Sequence, residues 1–228
     1  MIKTHFTIED IKAMMEASPC LRDKLIISFL SDSGCRVSEL LKVKLEHVDL
    51  EDDVVLIPHL KRGIKKTCPS CHRSAGRSQP FCARCGADLS QVIAEGIEER
   101  SRLINIGSAT KELIKEYIAK RSSKTDFLIN ISRGHIWYII REIAKSAGLK
   151  GKIFLNPETG KKHYPHPHSF RDSLAIDWLS IAGDDVSKQK ALQEHLGHRR
   201  FETTMRYHKL TPAAVRKVSD EVRKKRFE

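Results

Sequence analysis

The chain has 228 residues, enough for one full-sized core and one small appended module but too few for two large domains. Its 41 lysines and arginines against 29 acidic residues give a formal charge of +12 and a pI near 9.5, which suits a polyanionic partner, nucleic acid first, although a solvated cationic surface has the same composition. No run approaches the roughly 18 apolar residues that span a bilayer, and the start Met1-Ile2-Lys3-Thr4-His5 lacks the apolar stretch of a signal peptide, so a cytoplasmic protein with reduced or metal-bound cysteines and no membrane partner is expected.

In chain order, Thr7 is placed to cap an amphipathic helix through Ile11, Met14 and Met15, with Glu9 and Asp10 in the first turn and Pro19 closing it. A second helix is expected from Leu21 to Leu30, ending in the turn Ser31-Asp32-Ser33-Gly34, and a third opens at Arg36 and carries Glu39 and Leu40. Val54-Val55-Leu56-Ile57 and Arg102-Leu103-Ile104-Asn105-Ile106 are β-rich runs of one hairpin, separated by an insertion of different composition. Helical patterns follow over about 108 to 121, 132 to 147 with Gly148 as cap, 168 to 182, 186 to 196, 201 to 208 and 212 to 226. Asn156-Pro157-Glu158-Thr159-Gly160 has the composition of a turn between two short strands. The expected fold class is α+β, mainly helical, with a small antiparallel sheet.

The insertion holds Cys68-Pro69-Ser70-Cys71 and Cys82-Ala83-Arg84-Cys85-Gly86, two CxxC knuckles at the spacing that closes four thiolates around Zn²⁺. Disulfides and an iron–sulfur cluster are the alternatives; a reducing compartment opposes the first and the paired knuckles with a following glycine favour zinc over the second. Four thiolates leave no open position, so the metal is expected to be structural. Residues 68 to 100 then form a zinc ribbon, while Cys20 and Cys35, without partners at such spacing, read as packing residues.

Several polar residues remain that no packing argument explains: Arg36 in Gly34-Cys35-Arg36-Val37-Ser38-Glu39-Leu40, Lys61 in Leu60-Lys61-Arg62-Gly63, His168 and Arg171 in Pro167-His168-Ser169-Phe170-Arg171, His198 ending Leu196-Gly197-His198, and Tyr207 nine residues later. A phosphodiester repels an incoming oxyanion, so attack on it calls for cationic donors on the non-bridging oxygens. Arginine suits that role through its planar, always-charged fork. Singly, each of these residues reads as a surface ion pair or a packing side chain. In this order and at these spacings the chain resembles the tyrosine recombinase (phage integrase, Xer-like) family over essentially its whole length apart from the insertion.

The resemblance implies that Arg36 and Arg171 clamp the phosphate, Tyr207 is the nucleophile that forms a 3′-phosphotyrosyl link, His168 exchanges the nucleophile's proton and His198 hydrogen-bonds the phosphate. It implies that Glu39 orients the cations and that a hairpin lysine protonates the leaving 5′-oxygen, Lys61 being favoured over Lys65 and Lys66. The covalent link conserves bond energy, so neither ATP nor a catalytic metal is expected. Tyr138, in Ile136-Trp137-Tyr138-Ile139-Ile140, and Tyr117, beside Ile114 and Ile118, read as packing tyrosines. Where the family commonly has Arg-His-Thr, this chain reads Arg171-Asp172-Ser173. The family's N-terminal DNA-clamping domain has no counterpart here, so residues 1 to 228 are expected to be one catalytic domain.

Double-stranded DNA is the implied partner, and the helix over 212 to 226 is expected to dock on a neighbouring protomer of a tetramer assembled on two DNA sites. The ribbon is expected to brace the hairpin, to touch DNA or a neighbouring subunit, or to be a tolerated surface insertion. Against strand exchange stand two other readings, a type IB topoisomerase-like activity and a non-catalytic DNA-binding regulator that retains the fold.

Overall fold

The computed structural model describes residues 5–58, 65–76, 78–93, 101–122, 124–149, 154–155, 162–207 and 223. In chain order their elements are α1 (Ile8–Glu16), α2 (Leu21–Ser33), α3 (Val37–Leu40), β1 (Val48–Asp49), β2 (Val54–Pro58), β3 (Lys65–Thr67), β4 (Ser74–Gly76), β5 (Ser101–Asn105), α4 (Ser108–Lys120), α5 (Arg133–Ala144), β6 (Phe154–Leu155), β7 (Lys162–His163), α6 (Pro167–Ala182), α7 (Val186–Leu196) and α8 (Phe201–Met205). Two compact units divide them, one made of residues 1–57 and 102–228 and the other of Pro58–Ser101.

A stretch of helix that is apolar on all sides must be covered on all sides, and α2 has such a stretch from Leu25 to Leu30. Its Leu25, Ile26, Ile27, Phe29 and Leu30 are fully shielded, and α1, α4 and α6 pack around it. The Thr7 hydroxyl accepts the Asp10 N–H while the Asp10 carboxylate accepts the Thr7 N–H, a reciprocal cap that fixes where α1 begins. The polar Ser28 on α2 is satisfied by the Thr110 hydroxyl of α4 at 2.8 Å. Phe6 lies edge-on to Phe154 at 5.1 Å and against Phe170 at 4.8 Å, and its N–H donates to the Ser173 hydroxyl, so the segment before α1 is tied to α6. The sheet runs β1-β2-β5, with β1 antiparallel to β2 through Val48 opposite Val55. β6 and β7 pair antiparallel about the expected turn, whose own residues lie outside those described.

The expected α+β, mainly helical class holds, with corrections in detail. α2 continues to Ser33 instead of stopping at Leu30, because the Ser33 hydroxyl donates to the Phe29 carbonyl and accepts the Cys35 N–H, so the polar side chains extend the last turn. α8 ends at Met205, and a tight turn carries the chain on to Tyr207. Cys20 is not a packing residue: it caps α2 with its side chain in solvent, whereas Cys35 is buried. Tyr138 is 62% exposed and stacks on His135, so only Tyr117 of that pair packs on the core. The helix expected over 212 to 226 lies outside the described residues.

In the smaller unit β3 and β4 form an antiparallel pair with Lys66 opposite Ala75. Each CxxC turn closes on a left-handed residue, His72 (φ 55°) after the first and Gly86 (φ 74°) after the second. Their N–H groups donate to the carbonyls of Cys68 and Cys82 respectively. Among its described residues the shielded apolar ones are Cys68, Ala75, Cys82 and Leu89.

Gly34 is a tightly constrained backbone position of the larger unit. It has φ +56°, and a Cβ there would sit 2.8 Å from Leu174 Cδ2 and 3.0 Å from Leu196 Cδ2. Gly34→Ala is therefore expected to lower stability by about 2 to 4 kcal/mol, from the left-handed penalty plus overpacking. Urea unfolding of both forms checks it; an unchanged midpoint would contradict the close approach.

Candidate catalytic site and metal centre

α6 presents His168, Arg171 and Asp172 from its first turns, and two chain reversals come to meet it. Arg171, 1% exposed, donates from Nη1 to the carbonyl of Gly34 at 2.8 Å and from Nη2 to the carbonyl of Leu196 at 2.7 Å. Its Nε is buried without a partner among the described residues. Burial, then Arg36, lowers its affinity for the proton; a guanidinium stays charged regardless.

Arg36 caps α3 and keeps about a third of its side chain in solvent. Its guanidinium donates to Glu39 Oε1 at 2.8 Å and its N–H to Glu39 Oε2 at 3.0 Å. Glu39 is 1% exposed and accepts a further bond from Arg102 Nη2 at 3.1 Å; Arg102 Nε donates to the His195 carbonyl at 2.6 Å. Burial pushes the Glu39 carboxyl up, but Arg102 and the N–H and guanidinium of Arg36 outweigh it, and the net shift is downward.

Tyr207 follows α8, packs on the cluster around Leu192 and Leu196 and stacks parallel to His198 with centroids 6.2 Å apart. Its hydroxyl donates to Asp172 Oδ1 at 3.0 Å. Burial first, then the Asp172 charge, raises the phenol above its usual range, with Arg171 opposing. His168 Nε2 lies 3.7 Å from the same Asp172 oxygen, one helical turn away. Burial lowers the His168 imidazole, with Asp172 opposing. His198 pairs its Nδ1 with the Thr204 hydroxyl at 2.9 Å. Burial, then Arg171 and Arg36, pushes it down to about 3, so it is neutral at pH 7.

Arg36, Glu39, His168, Arg171, His198 and Tyr207 thus belong to one connected cluster of the larger unit. Lys61 lies outside the described residues. Lys65 is exposed on β3, and Lys66 donates from Nζ to the Leu89 carbonyl at 2.6 Å. Two residues that sequence reasoning left aside join the cluster. Arg102 was part of an apolar β run; strand alternation, which puts it on the face of the buried Ile104 while Leu103 is exposed, was the available signal. Asp172 was noted only as a departure, and its position four residues after His168 was the clue.

In the smaller unit the Sγ atoms of Cys68, Cys71, Cys82 and Cys85 all lie within 4.8 Å of one another, with Cys68 to Cys85 and Cys71 to Cys82 each at 3.5 Å. Zn–S bonds of about 2.3 Å in a tetrahedron give sulfur separations of about 3.8 Å, so this donor set fits a metal ion. The N–H groups of Arg84 and Cys85 hold the Cys82 thiol down to about 6, while at Cys85 the lowering by the Ala87 N–H is outweighed by Cys68 and Cys71, which push that thiol up to about 12.

The chain matches the model of the phage integrase family over residues 4–78 and 87–213. It is 25% identical to tyrosine recombinase XerA of Thermococcus kodakarensis over 95% of its own length and 62% of that protein's. It is 25% identical to tyrosine recombinase XerD of Bifidobacterium longum over 92% and 59%. The chain therefore spans about three fifths of the length of these relatives. Among solved structures it is similar to XerA recombinase, with TM-score 0.63 at 21% identity over 97% of this chain and 64% of that one. It is also similar to XerH recombinase bound to palindromic difH substrate in a post-cleavage complex, with TM-score 0.60 at 17% identity over 96% and 53%.

The Glu39 carboxyl is held below its unfolded value, so its ion pairs stabilise the fold fully above about pH 4.5 and lose that contribution as pH falls through the lowered value. Arg102→Ala leaves a buried carboxylate with one fewer cation and is expected to cost about 3 kcal/mol at pH 7. Urea unfolding against pH checks this: the gap between the two proteins should narrow as the pH is lowered below 4.5, and a pH-independent gap would contradict it.

Proposed function

We propose that this chain, which belongs to the phage integrase family, breaks and rejoins DNA strands at specific sites through a covalent 3′-phosphotyrosyl intermediate. The observation that carries this reading is the meeting of the Tyr207 phenol with His198 and Asp172 beside the Arg171 guanidinium, whose charge acts directly on that phenol. Arg36 and Arg171 take the non-bridging oxygens of the scissile phosphate and offset the charge that repels an incoming phenolate. Arg36 has the exposed side chain needed to receive DNA, and Glu39, held by Arg102 behind it, fixes the direction of its fork.

His198 is a neutral hydrogen-bond donor in this reading. With Nδ1 accepting from the Thr204 hydroxyl, Nε2 carries the ring proton and offers it to a phosphate oxygen. His168 serves proton exchange at the nucleophile. The leaving 5′-oxygen needs a proton, and Lys61 is the proposed donor; Lys66 is engaged by the Leu89 carbonyl. The phosphotyrosyl bond retains the energy of the phosphodiester, so religation by a 5′-hydroxyl needs no ATP.

Double-stranded DNA is the proposed partner, supported by the charge of +12. A tetramer on two DNA sites, joined through residues 212–226, and a cytoplasmic location complete the reading; among the described residues no helix is long and apolar enough to cross a membrane. Residues 1 to 228 act as the catalytic domain, with residues 68 to 100 as a ribbon whose four cysteines hold one structural Zn²⁺. When bound, that ion would lock the two knuckles together and take no part in the chemistry.

Incubation with a nicked suicide duplex is expected to trap a covalent protein–DNA adduct in the wild type and none in Tyr207→Phe, and Arg36→Ala is expected to lower its rate by about 10²-fold or more. No adduct at saturating DNA would overturn the enzyme reading. Elemental analysis should find one zinc per chain, lost on Cys68→Ser with protease sensitivity appearing between Pro58 and Ser101; a metal-free native chain with a protected ribbon would overturn the zinc assignment.

A further inference from the structure

Attack by Tyr207 on phosphorus must release the phenolic proton, and the group in hydrogen-bond contact with that proton is a carboxylate. The Tyr207 hydroxyl donates to Asp172 Oδ1 at 3.0 Å, whereas His168 Nε2 stands 3.7 Å from that same oxygen. Both acceptors rise from the first turns of α6, a rigid helix whose Arg171 is anchored at two carbonyls, so the carboxylate is held in place instead of reaching from a loop. The families this chain resembles commonly carry histidine after that arginine; here it is an acid, and the acid faces the nucleophile.

From this we infer that Asp172, in place of His168, is the residue that takes the proton of Tyr207 as the phenol attacks, a catalytic residue of this chain, with His168 acting through it as a positioning residue. The inference rests on the strand-cleavage reading given above. In the forward step the Tyr207 O–H bond breaks, its proton passes to Asp172 Oδ1 and the phenolic oxygen bonds to phosphorus. The bond from phosphorus to the 5′-oxygen breaks with its electron pair, and that oxygen takes a proton from the separate acid on the leaving side. Asp172 is then a neutral carboxylic acid beside the ester oxygen of Tyr207. When a 5′-hydroxyl rejoins the strand, its proton returns to the leaving-side group and its oxygen bonds to phosphorus; the bond from phosphorus to the phenolic oxygen breaks with its electron pair, and the departing phenolate takes the proton back from Asp172. No electrons are exchanged with any other species.

The surroundings suit such a shuttle. With no DNA present, burial and then the Asp172 charge hold the phenolic proton more tightly than water would. Carboxylate geometry is set on one side by the phenol and on the other by the His168 ring, which leaves Asp172 only partly exposed. A carboxylate lies far below a phenol in basicity, so it acts within the transition state, as the oxygen–phosphorus bond forms, and not by forming a free phenolate beforehand.

The test compares single-turnover cleavage of two nicked suicide duplexes, one with the natural 5′-oxygen and one with sulfur in its place. The sulfur leaves as a thiolate and needs no proton. Asp172→Asn keeps size and an acceptor oxygen but cannot serve as the base, and is expected to slow cleavage by about 10²-fold on both duplexes, while Asp172→Glu, which restores the carboxylate, recovers at least part of the loss. Thermal midpoint and DNA affinity of both variants, matched to wild type, set aside a folding defect. Cleavage by Asp172→Asn at or above the wild-type rate would reduce Asp172 to a dock for the tyrosine, and rescue by sulfur would move it to the leaving-group side; either overturns the assignment, as does Asp172→Glu no faster than Asp172→Asn. Wild-type adduct alongside an unimpaired Asp172→Asn removes only this role, whereas no wild-type adduct on either duplex removes strand cleavage altogether.

Discussion

One buried guanidinium organises the larger unit. Arg171 sits where the C-terminal ends of α2 and α7 converge, and each helix gives it a carbonyl that has no partner further along its own helix, Gly34 for α2 and Leu196 for α7. The negative ends of two helix dipoles therefore face one positive charge. That arrangement offsets the cost of removing the charge from water, which an unpaired cation could not bear. It also links chain segments 137 and 25 residues away in sequence to a single side chain. Those segments are the turns that lead directly into Arg36 and into His198, so the charge that would meet a phosphate is also the one that assembles the site around it.

A second buried centre keeps the cations from dispersing each other. Arg36 and Arg102 share the carboxylate of Glu39, which is as buried as Arg171. Arg36 acts on Arg171 unfavourably, and Glu39 compensates. The site is thus a cationic field with one internal counter-charge at its back, Glu39, and one at its mouth, Asp172. The first is held by hydrogen bonds from Arg36 and Arg102, which fix its geometry. The second is partly exposed and accepts the Tyr207 hydroxyl, the hydrogen that the proposed reaction would move.

Much of this was legible in the sequence, and the reasons differ by residue. Gly34 and Gly197 announce left-handed helix ends, and Thr7 announces a helix start, because caps are local chemistry. The paired CxxC turns are legible because four ligands of one metal impose their own spacing. Arg102 was hidden because a cation in an apolar strand looks like an interruption until its buried partner, 63 residues away, is known. Asp172 was hidden for a related reason: its meaning lies in a phenol 35 residues later that the fold returns to it. Tyr138 misled because an aromatic within an apolar run need not face the core; α5 buries Ile136, Ile139, Ile140 and Ile143 at helical spacing, and the phase of that stripe puts Tyr138 outside.

The smaller unit obeys a different energetic rule. Among the described residues its shielded apolar set is small, two cysteines with Ala75 and Leu89, against the entropy of ordering the segment. A metal held by the four cysteines would add to its stability, since the binding free energy of such a site is folding free energy. The left-handed His72 and Gly86 close the two knuckles whose thiols converge, a conformation costly for histidine and free for glycine. The family match omits residues 79–86, the approach to and body of the second knuckle, while it covers β3, the first knuckle and β4. A shared hairpin and an added clasp would divide at that point, and the Lys66 amine, bonded to the carbonyl of Leu89 just past the second knuckle, stitches the two together.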